Sequence, residues 1–385
     1  MRFLGYRRDD GTCGTRNHVL VMPTVVCANQ VAQQITALVS GTVGLGHQHG
    51  CAQLGSDLDL TLSTLVGTAM NPNVYGVVLV GLGCEAVSAS EVAEVLKRNS
   101  KPVRTVVIQD CGGTLDAVTA GVRAAMELSQ QASCITREPC NLADLVLGTE
   151  CGGSDGCSGI TANPVLGLLS DKLVELGGSV ILAETTELIG AEHVLARRAR
   201  TDEVRQALLD AVQAAEQKAR VMGVDMRGSQ PAPGNIEGGI STIEEKSLGC
   251  LHKAGSSVLQ EVVGYSERAS RRGLVMMDTP GHDIEQISGM VAGGASVVVF
   301  TTGRGTPTGS PIVPVLKVSS NSQLYEKMRD NIDFDAGTII SGHETLQQVS
   351  TRLFAEMISV CSGKLTRSEL LKHNEFAIHR IGPTV

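Results

Sequence analysis

Thiols, carboxylates and imidazoles recur in this 385-residue chain where apolar runs give way to glycine-rich loops. Residues 19–22 lead to Cys27, residues 77–80 to Gly83-Cys84-Glu85, residues 105–108 to Cys111-Gly112-Gly113, and residues 145–147 to Cys151-Gly152-Gly153-Ser154-Asp155. Thiolates from separated loops can share a soft metal ion or an iron–sulfur cluster, so Cys27, Cys84, Cys111 and Cys151 form one candidate metal set. Glu184 and Glu187 add hard oxygen donors from the loop after residues 180–182. His47 and His49, within the irregular stretch 42–56, and Lys246 are candidate bases, and Glu244 sits beside Lys246. Arg16, Lys253 and Arg304 could hold an anion, together with the polar side chains Ser154, Asp155, Thr161, Asn163, Asn235 and Thr302. A small hydroxylated acid suits such a set: cations and helix N-termini bind its carboxylate, and a divalent ion polarises it. Plain structural readings stand beside each of these. Free cysteines pack into cores, Glu244 and Glu245 suit the first turn of a helix, and His47-Gln48-His49 suits a solvated loop.

Alternating apolar strands and amphipathic helices must position these residues. The pattern predicts an α/β chain of two doubly wound, mostly parallel-sheet domains whose strand-end loops form the site. Residues 1–140 read as a Rossmann-like α/β domain and residues 141–385 as the catalytic α/β domain, joined through a linker at 134–143. Asn163 reads as the N-cap of a helix with Pro164 in its first turn, and Thr201 as the cap of a long polar helix.

Composition removes several functions. Aromatic residues are 2% with no tryptophan, and the net charge is −8, which disfavours nucleic acid. No apolar run has transmembrane length, and residues 1–8 lack a signal-peptide core, so a cytoplasmic location is expected. The odd count of 11 cysteines argues against a disulfide scaffold. Neither a P-loop nor a GxSxG elbow is present, and Gly44, Gly46 and Gly50 lack the strand-to-helix setting of a dinucleotide site.

Taken in order, Gly5-Tyr6-Arg7-Arg8, Gly14-Thr15-Arg16-Asn17, Gly83-Cys84-Glu85, Cys151-Gly152-Gly153-Ser154-Asp155 and Ser158-Gly159-Ile160-Thr161-Ala162-Asn163-Pro164 span the first half of a resemblance. Gly234-Asn235-Ile236-Glu237-Gly238-Gly239, Thr242 through Gly249, Asp278-Thr279-Pro280-Gly281 and Thr301-Thr302-Gly303-Arg304-Gly305 continue it. Together they resemble the large catalytic region of the altronate/galactarate dehydratase family. The resemblance implies a lyase that dehydrates an aldonate or aldarate to a 2-keto-3-deoxy acid by β-elimination, with Fe2+ or Mn2+ as activator. One branch of the family instead eliminates sulfite from sulfolactate. Full-length dehydratases carry a small SAF-type domain before the Gly-Tyr-Arg-Arg stretch, which here begins at residue 5. A separately encoded small SAF-type subunit is therefore expected, in a homo- or hetero-oligomer. A non-catalytic or iron–sulfur-carrying subunit is the alternative from a different class.

Overall fold

The computed structural model describes residues 1–383, with no account of the Ser229 side chain. Three sheets form. The first contains four parallel strands in the order Thr42–Gly44, His18–Pro23, Val74–Gly81, Val103–Val107. The second contains seven parallel strands in the order Leu259–Val263, Leu274–Met277, Ser179–Leu182, Val146–Cys151, Val297–Thr302, Val315–Ser319, Phe334–Asp335. The third is small and antiparallel, with Arg2–Arg7 between Cys13–Gly14 and Glu138–Asn141. The stretch read as a linker, 134–143, thus contributes a strand that pairs with Arg2–Arg7. These strands are too short to show a period, and Gly5 interrupts the apolar alternation of Phe3.

Both larger sheets are covered on both faces, which is why their strands read as continuous apolar runs. In the four-stranded sheet, Val19 and Val21 face helices Asn29–Leu38 and Thr114–Ser133, meeting Ile35 and Leu128. The alternate residues Leu20 and Met22 join a cluster with Ile181, Val275, Met277 and Phe300 of the seven-stranded sheet. Helices Gly55–Ala69 and Asp283–Ala292 lie in that shared layer and contribute Leu65, Ile287 and Met290. The far face of the large sheet packs Leu147, Val180 and Leu316 on helices Ala162–Glu175 and Leu346–Cys361.

Strand order in the large sheet reverses beside Val146–Cys151. Ser179–Leu182 lies on one side of it and Val297–Thr302, much later in the chain, on the other. Such a switch point opens a crevice beyond the strand carboxyl ends, where ligands bind in open α/β sheets. Cys151 is the last residue of the strand at that point.

Candidate active site

Two neighbouring strands and one helix build the centre. Cys151 ends its strand, and Glu184 follows the adjacent strand Ser179–Leu182. Glu184 has φ 73° and ψ 58°, a left-handed conformation that disfavours a side chain. The surroundings hold it there: its N–H donates to Thr279 Oγ1 at 2.7 Å. Strain of this kind gathers at functional sites. The short turn Thr185–Leu188 then presents Glu187. Facing them, helix Ile243–Leu251 and the turn His252–Ala254 supply Lys246, Cys250 and Lys253. Thr242 caps that helix by accepting from the Glu245 N–H.

The contacts are close. Cys151 Sγ lies 3.3 Å from Glu187 Oε2 and 3.5 Å from Glu184 Oε2. Cys250 Sγ lies 3.5 Å from Glu184 Oε2, and Lys246 Nζ lies 2.7 Å from Glu187 Oε1. Lys253 donates to Glu184, and both side chains are fully buried. Each carboxylate therefore holds a lysine and also meets the Cys151 thiol. The Lys246 ammonium would be lowered by burial, but Glu187 outweighs this and holds it above 10.5. Cys250 is pushed well up by its hydrogen bond to Cys151 and by burial. Nearby, burial and then Asp283 push Glu150 far above the ordinary carboxyl range, and both its oxygens lack a partner. Asp283 is raised by burial and by Glu187.

Among the described residues, Cys151, Glu184, Glu187 and Cys250 are the one group of three or more potential metal ligands lying within 4.8 Å of one another. The donor chemistry fits a divalent transition ion: two thiols and two carboxylates make a mixed soft and hard set. Glu184 and Glu187 are each paired with one ammonium group, and burial shifts the nearby Glu150 and Asp283 toward their uncharged forms.

Lys246 lies between two cavities. One of about 240 Å³ is lined by Thr186, Glu187, Gln230, Lys246, Gly281 and His282. The other, of about 190 Å³, includes Ser154, Asp155, Gly159, Asn163, Lys246 and His252. His282 Nδ1 lies 3.5 Å from Glu285 Oε1, and its side chain is 59% exposed.

Of the residues singled out from sequence, the structure gathers Cys151, Glu184, Glu187, Lys246 and Lys253. Ser154, Asp155 and Asn163 line the second cavity, but much of their hydrogen bonding is internal. Asp155 accepts from Ser158, Ser320 and Asn321 and so organises the loop. Asn163 is not an N-cap. The helix begins at Ala162, and the Asn163 side chain bridges Gly249 O and Thr301 Oγ1. Thr161 Oγ1 donates to the Ser320 carbonyl, Thr302 Oγ1 accepts from the Gly305 N–H, and Asn235 donates to Ser154 O. Arg304 pairs with Glu237 at 2.9 Å on the surface.

Several candidates lie elsewhere. Cys27, Cys84 and Cys111 follow strands of the four-stranded sheet and do not join Cys151 in a ligand group. Cys27 and Cys84 are exposed. Arg16 is buried, and all its N–H groups are committed, to Glu369 and to the carbonyls of Thr15, Val360 and Lys364. No donor remains for a substrate. Glu244 is half-exposed and directed at Arg227, 3.9 Å away. His47 Nε2 meets Pro23 O at 2.8 Å and its Nδ1 accepts from the His49 N–H, so neither nitrogen is free to act as a base. His49 similarly meets Ile378 O at 3.2 Å and Gln53.

Burial lowers His47 from 6.5 to about 4. The unfolded chain therefore binds a proton that the native chain refuses, and stability is lost as pH falls from 6.5 toward 4. The loss from this residue approaches roughly 3 kcal/mol. Urea midpoints of the wild type should fall across this window, and those of His47→Gln less steeply. Equal slopes would contradict the buried neutral imidazole.

Sequence reasoning passed over Cys250, Glu150, Asp283 and His282. A signal existed for the first: 246, 250 and 253 have the i, i+4, i+7 spacing of one helix face.

This is a chain of the sugar-acid hydro-lyase class, and it belongs to the D-galactarate/altronate dehydratase family. The family's second domain (D-galactarate dehydratase/Altronate hydrolase) matches residues 5–133, and its C-terminal domain (D-galactarate/Altronate dehydratase) matches residues 142–384. The altronate dehydratase of Bacillus subtilis is 39% identical over 100% of this chain and 78% of its own length. The altronate dehydratase of Escherichia coli is 38% identical over 99% of this chain and 78% of its own length. The (2R)-sulfolactate sulfo-lyase subunit beta of Chromohalobacter salexigens is 37% identical over 98% of this chain and 97% of its own length.

Proposed function

We propose that this chain dehydrates an aldonate or aldarate, altronate-like in kind, to its 2-keto-3-deoxy acid, with a divalent ion held by Cys151, Glu184, Glu187 and Cys250. The observation carrying this reading is the thiol–carboxylate group at the switch point of the large sheet, with Lys246 between two cavities. A bound Fe2+ or Mn2+ would supply Lewis acidity for a substrate carboxylate or hydroxyl. The protein's own groups divide the remaining work. Lys246, held as an ammonium by Glu187, stabilises the negative charge that develops when the α-proton leaves and gives a proton to the departing β-hydroxyl. His282, which lines the same cavity, takes the α-proton. Lys253 holds the Glu184 carboxylate in place.

Assay of keto-acid release from a panel of aldonates and aldarates, with Fe2+, with Mn2+ and with chelator, tests the reading. Turnover that chelation abolishes and Fe2+ or Mn2+ restores is expected. No turnover under any condition would refute it.

A second reading rests on the sulfo-lyase subunit, whose length this chain matches almost completely. That relative is named as a subunit, which supports action within a multi-subunit assembly. It also makes sulfite release from (2R)-sulfolactate the decisive alternative product. Sulfite without keto-acid formation from any sugar acid would favour it.

A further inference from the structure

A cavity of about 380 Å³ adjoins the one lined by Lys246 and His282. Thr186, Met226 and Gly281 line both. The junction needs a glycine, since a Cβ at Gly281 would lie 2.5 Å from Thr186 Oγ1. Asp278, Lys218, His379 and Ile381 line the larger cavity and not the smaller. Strand order places it. Cys151 ends one strand, Glu184 follows its neighbour Ser179–Leu182, and Asp278 follows the next strand, Leu274–Met277. Adjacent strands lie about 4.8 Å apart. A chain of several carbons with its acid group at the thiol–carboxylate centre can therefore reach the strand end that carries Asp278.

The walls combine apolar side chains with a few polar groups, the make-up of a small-molecule site. Asp278 Oδ1 accepts from Thr185 Oγ1 at 2.6 Å, while its Oδ2 accepts nothing among the described residues. The Thr186 hydroxyl and the Lys218 ammonium likewise have no partner among the described residues. His379 Nδ1 lies 2.9 Å from Glu285 Oε2, which leaves Nε2 for a ligand. Such a mixture of donors and an acceptor suits hydroxyl groups, which do both. Charge decides what the far end of the substrate can be. Asp278 is half-buried and Lys218 is exposed, so the carboxylate is screened less than the ammonium. A second substrate carboxylate would face Asp278 as a like charge, and a terminal hydroxymethyl group would not. We propose that this cavity receives the polyhydroxyl tail of an aldonate, with Asp278 as its hydroxyl acceptor, and that Asp278 selects against aldarates. The proposal rests on the dehydratase reading above for the position of the substrate's acid group.

Titration calorimetry of the Fe2+-loaded Lys246→Arg protein, which should bind the acid and turn it over slowly, compares D-altronate with D-altrarate. The two share length and configuration and differ in a terminal hydroxymethyl or carboxylate group. Altronate should bind about tenfold tighter or more. Adding Asp278→Asn, which keeps an acceptor for Thr185, should shrink the preference to about threefold or less. Adding Lys218→Glu, at an exposed position of helix Asp202–Val221, should widen it. Equal or tighter binding of altrarate, no saturable binding of either acid, or a preference unchanged by both added substitutions would overturn the proposal. Preferential altronate binding together with no keto-acid release by the wild type would support the tail site and refute the dehydratase reading alone.

Discussion

Lys246→Met is expected to lower kcat by about a thousandfold without unfolding the protein, since losing a positioned acid or base costs ~10²–10⁴. The side chain lines both cavities and lies 2.7 Å from Glu187. Among the described residues, no other lysine lines either cavity. Lys246→Arg separates its roles. The guanidinium keeps the charge, so substrate affinity should largely return. It donates a proton poorly, so kcat should stay low. The pH dependence gives an independent sign. Glu187 holds the ammonium above 10.5, so it stays protonated throughout the neutral range. A rate that rises with pH through the Lys246 titration would instead make Lys246 the base. Wild-type kcat in Lys246→Met would remove it from the mechanism.

Lys253→Met should have the largest effect on stability. Removing one partner of a buried ion pair leaves the other charge uncompensated, at a cost of about 3–5 kcal/mol. Lys253 and Glu184 are 0% and 1% exposed, so solvent cannot compensate for the loss. The double variant Lys253→Met/Glu184→Gln should recover much of that stability, because no lone charge remains. Fe2+ should restore part of the single variant's stability by supplying the missing positive charge, and none of the double variant's. Urea denaturation of the wild type, the single variant and the double variant, with and without Fe2+, reads all these terms. A loss below ~1 kcal/mol in Lys253→Met would show that the pair is not what holds Glu184.

The parallel α/β architecture was legible because buried parallel strands are continuous apolar runs with loops of glycine and polar residues at their ends. Residues 77–80 and 297–300 show this plainly, and both prove to be strands. The two- to four-residue strands Cys13–Gly14, Thr42–Gly44 and Glu138–Asn141 carry too few residues to display a period. For the site, strand-end position drew attention to Cys27, Cys84, Cys111 and Cys151 alike. Position along a strand says nothing of which sheet the strand joins, and the first three belong to the smaller one. Cys250 lies inside a helix, where no loop draws attention to it, although its spacing from Lys246 and Lys253 put it on their face. Arg16 illustrates the opposite error. An arginine before a strand looks free in the sequence, while its partner Glu369 lies 353 residues away. Glu184 shows what backbone geometry adds, since a left-handed glutamate cannot be foreseen from its neighbours.

Iron-edge X-ray absorption on the Fe2+-loaded protein, compared with the Cys151→Ser/Cys250→Ser variant, tests the metal centre most directly. Sulfur scatterers should be present in the wild type and absent in the variant, which should also bind less iron. Iron held with only oxygen and nitrogen neighbours in the wild type, or bound equally well by the variant, would contradict the assignment of Cys151, Glu184, Glu187 and Cys250 as its ligands.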